Sequence, residues 1–119
     1  MQPAELKTWR ESVGLSATDL ADLLGVETRS INRWEAGTNP IPEDLLLSIQ
    51  QQAKRIAHEL SALRTRLLAE RPAVLLRYRT PQDLKAHDPA LWKAGVTVQA
   101  HASVLWAVHL ETGAPITYR

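Results

Sequence analysis

The residues of this sequence whose types and spacing suit chemistry lie in one short stretch: Thr28, Arg29, Asn32 and Arg33. On a helix, this spacing would put all four side chains on one side. An arginine fork matches O6 and N7 of guanine, and an asparagine amide matches the edge of adenine. Threonine is short and can meet a thymine methyl or a phosphate oxygen. These residues are therefore candidates for contacts to DNA, with Arg29 the first choice for reading a base and Arg33 for a second base or a phosphate.

Two short helices joined by a tight turn should position these side chains, within residues 15–37. Ser16 and Asp19 form an S-x-x-D pair that caps a helix start. Gly25 ends that helix, because glycine adopts the left-handed conformation after a helix without steric cost. The second helix begins three residues later and directs Trp34 toward a core. Such a helix-turn-helix places the start of its second helix in the major groove of DNA.

Two further polar residues flank the predicted helix-turn-helix, one before its first helix and one after its second. Ser16 is expected to act chiefly as the helix cap, with a phosphate contact as its second role. Asn39 lies in the predicted loop 37–41, where backbone N–H groups can also face a phosphate. Both residues therefore join the candidate DNA contacts.

The residues around the two helices follow a spacing that is typical of one family. The matching positions are Leu6, Lys7, Trp9, Arg10, Gly14, Leu15, Ser16, Arg33, Trp34, Glu35, Gly37 and Pro40. With these positions, the first forty or so residues resemble the lambda-repressor/Cro-like helix-turn-helix domains. The resemblance implies that Arg10 and Glu35 form a structural ion pair and do not contact DNA.

Charge is unevenly distributed along the 119 residues, although the net charge is only +1. Residues 1–40 hold four Lys and Arg against six Asp and Glu, whereas residues 41–80 hold seven against four. The candidate DNA-reading part is thus not basic, and its sequence-independent affinity for phosphates should be modest. Tight binding would need two copies of it working together.

The composition restricts the class of protein further. There is no cysteine, so disulfides and thiolate metal sites are excluded. No apolar run reaches the length of a membrane span, and the N-terminus shows no secretory signal pattern. We therefore expect a soluble, cytoplasmic protein without a membrane partner.

A long helix is predicted over residues 42–71, because no glycine or proline lies between Pro42 and Pro72. Apolar residues recur within it at alternating spacings of three and four, as in a coiled-coil heptad: Leu46, Ile49, Ala53, Ile56, Leu60, Leu63 and Leu67. This seam either packs inside one chain or pairs with a second copy, and the sequence leaves both open. The residues expected at a dimer or core seam are Ile56, Leu60, Leu63, Leu67, Tyr78, Val104, Trp106 and Val108.

Beyond Pro72 the sequence predicts short, mixed elements. Residues 74–79 suit a strand, residues 81–87 suit a short helix, and Ile116–Tyr118 should close the chain as a strand beside the first. Residues 96–112 fit either a strand or a helix, and their alanines, their length and the glycine that follows favour a helix.

The predicted fold is therefore mainly α, in three parts. Residues 1–41 form a helix-turn-helix DNA-binding domain, and residues 42–71 form a long connecting helix. Residues 72–119 form a small α+β dimerisation module with a short two-stranded pairing.

Short motifs in the second half support a second, narrower resemblance: Glu70-Arg71-Pro72, Leu76-x-Tyr78, Asp83-Leu84 and Glu111-x-Gly113. With these in order, the whole chain resembles the anti-CRISPR-associated autorepressors and their chromosomal YdiL-like relatives. The resemblance implies a homodimer formed by the C-terminal module, an inverted-repeat operator and control of its own operon. The chain departs from that family at Trp106 and His109, where tyrosine is frequent, so the family's dimer contacts do not transfer residue by residue.

Catalysis and metal binding have little support in the sequence. His58, His87, His101 and His109 are scattered, and the last two lie about two helical turns apart. No glycine-rich phosphate loop and no nucleophile elbow is present. We therefore expect no enzyme activity, no metal and no cofactor.

Taken together, these features predict a sequence-specific transcriptional repressor that binds an inverted repeat in double-stranded DNA as a homodimer. The alternatives are an antitoxin-like regulator that holds a partner protein, an RNA-binding translational autoregulator and a module that only docks proteins. In the RNA-binding alternative, arginines of the long helix such as Arg64 and Arg66 would hold the RNA. The operator, the regulated genes and any effector do not follow from the sequence.

Overall fold

The computed structural model describes all of residues 1–119 and contains seven helices and two strands. In chain order these are α1 (Pro3–Ser12), α2 (Ala17–Leu24), α3 (Thr28–Glu35), α4 (Glu43–Glu70), β1 (Leu75–Arg77), α5 (Pro81–His87), α6 (Pro89–Ala94), α7 (Val98–Thr112) and β2 (Ile116–Tyr118). The fold is mainly helical, as the sequence predicts, with a helix-turn-helix, a long helix and a small module that contains two strands. None of the helices combines the length and the apolarity that crossing a membrane requires.

The chain divides into two compact units, Met1–Lys54 and Arg55–Arg119. The boundary falls inside α4, so this helix contributes its first part to one unit and its remainder to the other. The helix-turn-helix lies wholly within the first unit.

The first unit has an apolar core to which each of its helices contributes a fully buried residue. These are Leu6 of α1, Leu20 of α2, Ile31 of α3 and Ile49 of α4, which all belong to one cluster. Burying a side chain of this size contributes about 1.5 to 3 kcal/mol. Because the cluster takes one residue from every helix, it fixes α3 against its neighbours.

The bounds of α2 follow from its local chemistry. The N–H of Asp19 donates to the hydroxyl of Ser16 over 3.0 Å, and the N–H of Ser16 donates to the Asp19 carboxylate over 3.2 Å. This reciprocal pair satisfies two N–H groups at the helix start. At the other end Gly25 has a φ of +69°, and no atom lies within 4 Å of the place a Cβ would occupy. The backbone conformation, and not crowding, therefore favours glycine there.

The apolar seam of α4 is buried at every seventh residue. Ile49 and Ile56 are fully buried and Leu63 is 3% exposed. Leu60 and Leu67, the seam positions between and beyond them, are half-buried. A single chain therefore already covers part of the seam, because one row of the heptad lies in protein interior.

The second unit contains a two-stranded parallel sheet that α5, α6 and α7 connect. β1 pairs with β2 in the register Leu75 to Ile116, Leu76 to Thr117 and Arg77 to Tyr118. Parallel strands need a long crossover between them, and the three helices supply it. Leu75 is 1% exposed, whereas Leu76 is 41% exposed, so the strand alternates between an inner and an outer face.

Residues 98–112, whose pattern fits a strand or a helix, form the helix α7. Thr97 caps its start by accepting a hydrogen bond of 3.0 Å from the N–H of Ala100. Gly113 ends it with a φ of +75°. The same kind of cap begins α5, where the Thr80 hydroxyl accepts from the N–H of Asp83 over 3.2 Å.

Candidate nucleic-acid interface

The recognition helix α3 separates its side chains into a buried and an exposed side. Ile31 is fully buried and Trp34 is 5% exposed, so both contribute to the core. Arg29, Asn32 and Arg33 are exposed. A helix of eight residues with so sharp a division holds its apolar stripe against the protein and offers the opposite side to a partner.

The C-terminal end of α3 is anchored by a two-point ion pair between Arg10 and Glu35. Arg10 Nε lies 2.7 Å from one carboxylate oxygen of Glu35 and Nη2 lies 2.8 Å from the other. The remaining Nη1 donates to the carbonyl of Leu15 over 3.0 Å. The two side chains are 12% and 8% exposed, so water screens the pair weakly. Hydrogen bonding to Glu35 raises the pKa of Arg10 against the opposing effect of burial. One guanidinium thus ties α1 to both the turn before α2 and the end of α3.

The start of α3 is joined to α2 by a weaker contact. The hydroxyl of Thr28 donates to the hydroxyl of Thr18 over 3.3 Å, and Thr28 is half-buried. Thr28 therefore lies closer to the protein than the arginine beside it. The sequence does not predict this role of Thr18, because a pairing ten residues apart across a turn has no local signature.

Ser16 and Asn39, the two flanking candidates, are both exposed. Ser16 accepts the capping hydrogen bond from the N–H of Asp19, which leaves its own hydroxyl proton to donate elsewhere. The backbone N–H groups of Thr38 and Asn39 both donate to the carbonyl of Arg33, over 3.0 and 3.4 Å. These two N–H groups complete the end of α3, so Asn39 can reach a phosphate through its exposed side chain and not through its backbone N–H.

Arg29 makes an ion pair that sequence reasoning missed. Its Nε lies 2.6 Å from a carboxylate oxygen of Glu27, the residue that precedes α3. The two side chains are 70% and 68% exposed. Arg33, one turn further along, forms no ion pair. The two candidate arginines therefore differ in how firmly their side chains are directed.

The seam residues that follow α4 in the chain fall into three groups by burial. Val104 and Val108 are 8% and 0% exposed, so they form core within one chain. Tyr78 is half-buried, with its ring centre 4.9 Å from that of His101 and 6.1 Å from that of His87. Trp106 is 57% exposed. Of these residues Trp106 is the one that a single chain leaves most open to solvent.

Of the four histidines, His87 and His101 both lie beside Tyr78. No three His, Asp or Glu side chains lie together as metal ligands would. His109 makes a hydrogen bond of 2.8 Å to the carbonyl of Ala114, and its ring stacks on Trp106 at 5.2 Å. His101 is 5% exposed and its Nδ1 has no hydrogen-bond partner, and burial lowers the pKa of this imidazole.

The fold and the exposed side of α3 together define a helix-turn-helix DNA-binding module. The family model described as Helix-turn-helix matches residues 6–52, which span α1 to the first part of α4. This match supports a lambda-repressor/Cro-like helix-turn-helix domain and a DNA-binding regulator of transcription, a class that is generally not enzymatic. A search of the curated proteins finds no match to this chain.

Proposed function

We propose that this protein is a transcriptional repressor that binds an inverted-repeat operator as a homodimer and controls its own operon. The observation that carries the proposal is the division of α3: Ile31 and Trp34 are buried while Arg29, Asn32 and Arg33 are exposed. Arg29 would read a guanine, Asn32 an adenine, and Arg33 a second base or a phosphate. Thr28, Ser16 and Asn39 would add contacts to the backbone of DNA or to a thymine methyl.

The charge of the first unit supports two binding units working as a pair. Residues 1–54 hold five Lys and Arg against eight Asp and Glu, so this unit is acidic overall. Most sequence-independent affinity for DNA comes from neutralising phosphates, and an acidic unit supplies little of it. Two such units on one operator double the base contacts, with half-sites about 34 Å or a multiple of it apart.

The outer side of α7 supports the second unit as the place of pairing. Trp106 and Leu110, one turn apart, are 57% and 67% exposed. Large apolar side chains that lie together on a surface are typical of protein interfaces, and tryptophan is enriched among the residues that dominate binding. A symmetric dimer would bring this surface of one protomer against the same surface of its partner. Occupation of a promoter by the dimer would exclude polymerase, and an operator in its own promoter would make the control autoregulatory.

Two measurements on the full chain test the proposal. Light scattering should give the mass of a dimer, and selection of duplexes from a random pool should recover an inverted repeat. Placing the recovered repeat ahead of a reporter should lower expression when the protein is present. Selection of no sequence, or a stable monomer that binds single sites, would contradict the proposed mode of action.

A second candidate, RNA binding, is favoured by the charge of the other unit. Residues 55–119 hold nine Lys and Arg against five Asp and Glu. Arg64 is engaged with Glu111 over 2.6 Å, whereas Arg66 is exposed and makes no ion pair. Arg66→Ala is therefore a cleaner test than replacing Arg64 and Arg66 together, because replacing Arg64 would also break its ion pair with Glu111. A loss of RNA affinity in this variant, with duplex DNA binding intact, would support the second candidate.

A further inference from the structure

Glu27 stands where a helix cap is expected, yet its side chain does not cap α3. It has the extended backbone of a residue before a helix, with φ −82° and ψ +148°, but makes no side-chain hydrogen bond to the helix N–H groups. Its carboxylate instead accepts from Nε of Arg29 over 2.6 Å. The contact lies on the exposed side of the helix-turn-helix, where the proposed function places DNA.

The atoms that Glu27 uses leave the reading end of Arg29 free. A guanidinium has five N–H donors, one on Nε and four on the two terminal nitrogens. Binding at Nε leaves the terminal pair, which forms an end-on fork for O6 and N7 of guanine. The Glu27 carboxylate thus holds the Arg29 side chain at Nε and does not compete for the terminal N–H donors that would contact the base.

We infer that Glu27 is a positioning residue that directs Arg29 at a guanine, and this inference rests on the proposed function. Glu27 itself touches no base. A long arginine side chain loses rotamer freedom when it binds, and holding it beforehand reduces that loss. The pair is weak while water surrounds it, and it strengthens when a duplex excludes the water.

The charge of Glu27 also affects affinity. A carboxylate beside the phosphates of a duplex opposes binding of any sequence. This repulsion lowers the affinity for every duplex by the same factor, so it does not change discrimination. Glu27 therefore raises discrimination only by directing Arg29 at a guanine.

If Glu27 instead sequestered Arg29 from DNA, a different result would be expected. The carboxylate would compete with the guanine for this side chain. Its removal would then strengthen binding where Arg29 meets a guanine, and the preference at that pair would rise. The two roles predict opposite changes in discrimination, so discrimination is the quantity to measure.

The experiment compares the wild type with Glu27→Ala, Glu27→Gln, Arg29→Ala and the double variant. Affinities for the selected duplex and for duplexes with each base pair replaced are measured, together with that for a random duplex. Asp22→Asn, which removes an exposed charge from α2 of the same unit, is the matched control. Thermal melting shows that each variant folds, and Glu27→Gln keeps the size and an acceptor oxygen if the alanine variant is unstable.

Glu27→Ala should lower discrimination at one guanine pair roughly two- to fivefold, the range that an exposed ion pair commands. It should also strengthen binding to the random duplex, and Glu27→Gln should lie between. Arg29→Ala should abolish the preference at that same base pair. The double variant, which also lacks Glu27, should show no further loss of this preference. Asp22→Asn should leave it unchanged.

The outcomes separate this inference from the function on which it rests. A wild type that selects no sequence overturns both. Two results overturn the positioning role alone, provided that the wild type is selective. In the first, the preference at that base pair survives Glu27→Ala. In the second, removing Glu27 changes the preference equally whether Arg29 is present or already replaced by alanine.

Discussion

Arg10 and Glu35, which lie twenty-five residues apart, meet through two hydrogen bonds of 2.7 and 2.8 Å. Arg10 belongs to α1 and Glu35 is the last residue of α3. Since the same guanidinium also bonds the carbonyl of Leu15, one side chain fixes where the recognition helix ends and where the turn before α2 begins. The pair therefore supports the orientation of α3 without lying on its exposed side.

Glu35→Gln should destabilise the first unit by about 2 to 4 kcal/mol, because it leaves the Arg10 charge nearly buried without its counter-charge. The measurement is urea denaturation followed by circular dichroism. Glu11→Gln, at an exposed position next to Arg10, is the control and should change stability by less than about 0.5 kcal/mol. Equal stability of the two variants would show that the ion pair does not hold α3.

Arg29→Ala should weaken binding to the selected operator by about 1 to 3 kcal/mol and relax the preference at one base pair. The reason is the loss of a two-donor contact to a base edge, and the fold should be unaffected because the side chain is 70% exposed. Gel-shift titration against the selected and the random duplex provides the comparison. Lys7→Ala, an exposed charge on α1, serves as the control. Unchanged operator affinity for Arg29→Ala would remove this residue from the interface.

Elements that follow from local chemistry were predictable from the sequence. The start of α2 at Ser16 and its end at Gly25 depend on groups within a few residues, and so does the cap of α5 at Thr80. The residues between Gly95 and Gly113 were ambiguous for a physical reason. The exposed side of α7 carries the apolar residues Trp106 and Leu110, while Val104 and Val108 are buried, so polarity does not separate the two sides and no clear helical period could be read.

The candidate site was predictable in type but not in its contacts. The exposure of Arg29 and Arg33 follows from helical spacing once Trp34 is placed in the core. The contact of Glu27 with Arg29 does not, because two residues apart is not a helical pairing and depends on the extended backbone before α3. The heptad of α4 could not identify its own partner either, because a repeat shows which side of a helix is apolar and not what covers that side.

Trp106→Ala should weaken the proposed homodimer by about 2 kcal/mol or more, roughly thirtyfold in the dissociation constant. The Trp106 ring and the Leu110 side chain are the large exposed apolar groups of α7, and truncating Trp106 to alanine removes the contact area of the ring. Light scattering over a dilution series gives the dissociation constant. Trp92→Ala is a matched control, since Trp92 is also a partly exposed tryptophan of the second unit, at 39%. If both variants remain dimeric at the same concentrations, the paired surface lies elsewhere, and a partner protein on α7 becomes the better hypothesis.

His101 should make the stability of the second unit depend on pH. The ring is 5% exposed, and its Nδ1 finds no partner, so burial lowers the pKa of the folded state. Asp88 raises this pKa and Arg66 lowers it, and both effects are smaller than that of burial. In the unfolded chain, His101 has an ordinary histidine pKa of about 6.5. Below that pH the imidazole is protonated in the unfolded chain and stays neutral in the folded chain until a lower pH. The contribution of His101 to the free energy of unfolding should therefore be constant well above pH 6.5 and fall as the pH drops below about 6.5.

The slope approaches about 1.4 kcal/mol per pH unit for one proton. His101→Leu should flatten the curve between pH 5 and 7, whereas the control His58→Gln, at an exposed position on α4, should retain the slope of the wild type. Denaturant unfolding at a series of pH values gives both curves. A slope that persists in His101→Leu would place the titrating group elsewhere, and a wild type more stable at pH 5 than at pH 7 would reverse the sign of the effect.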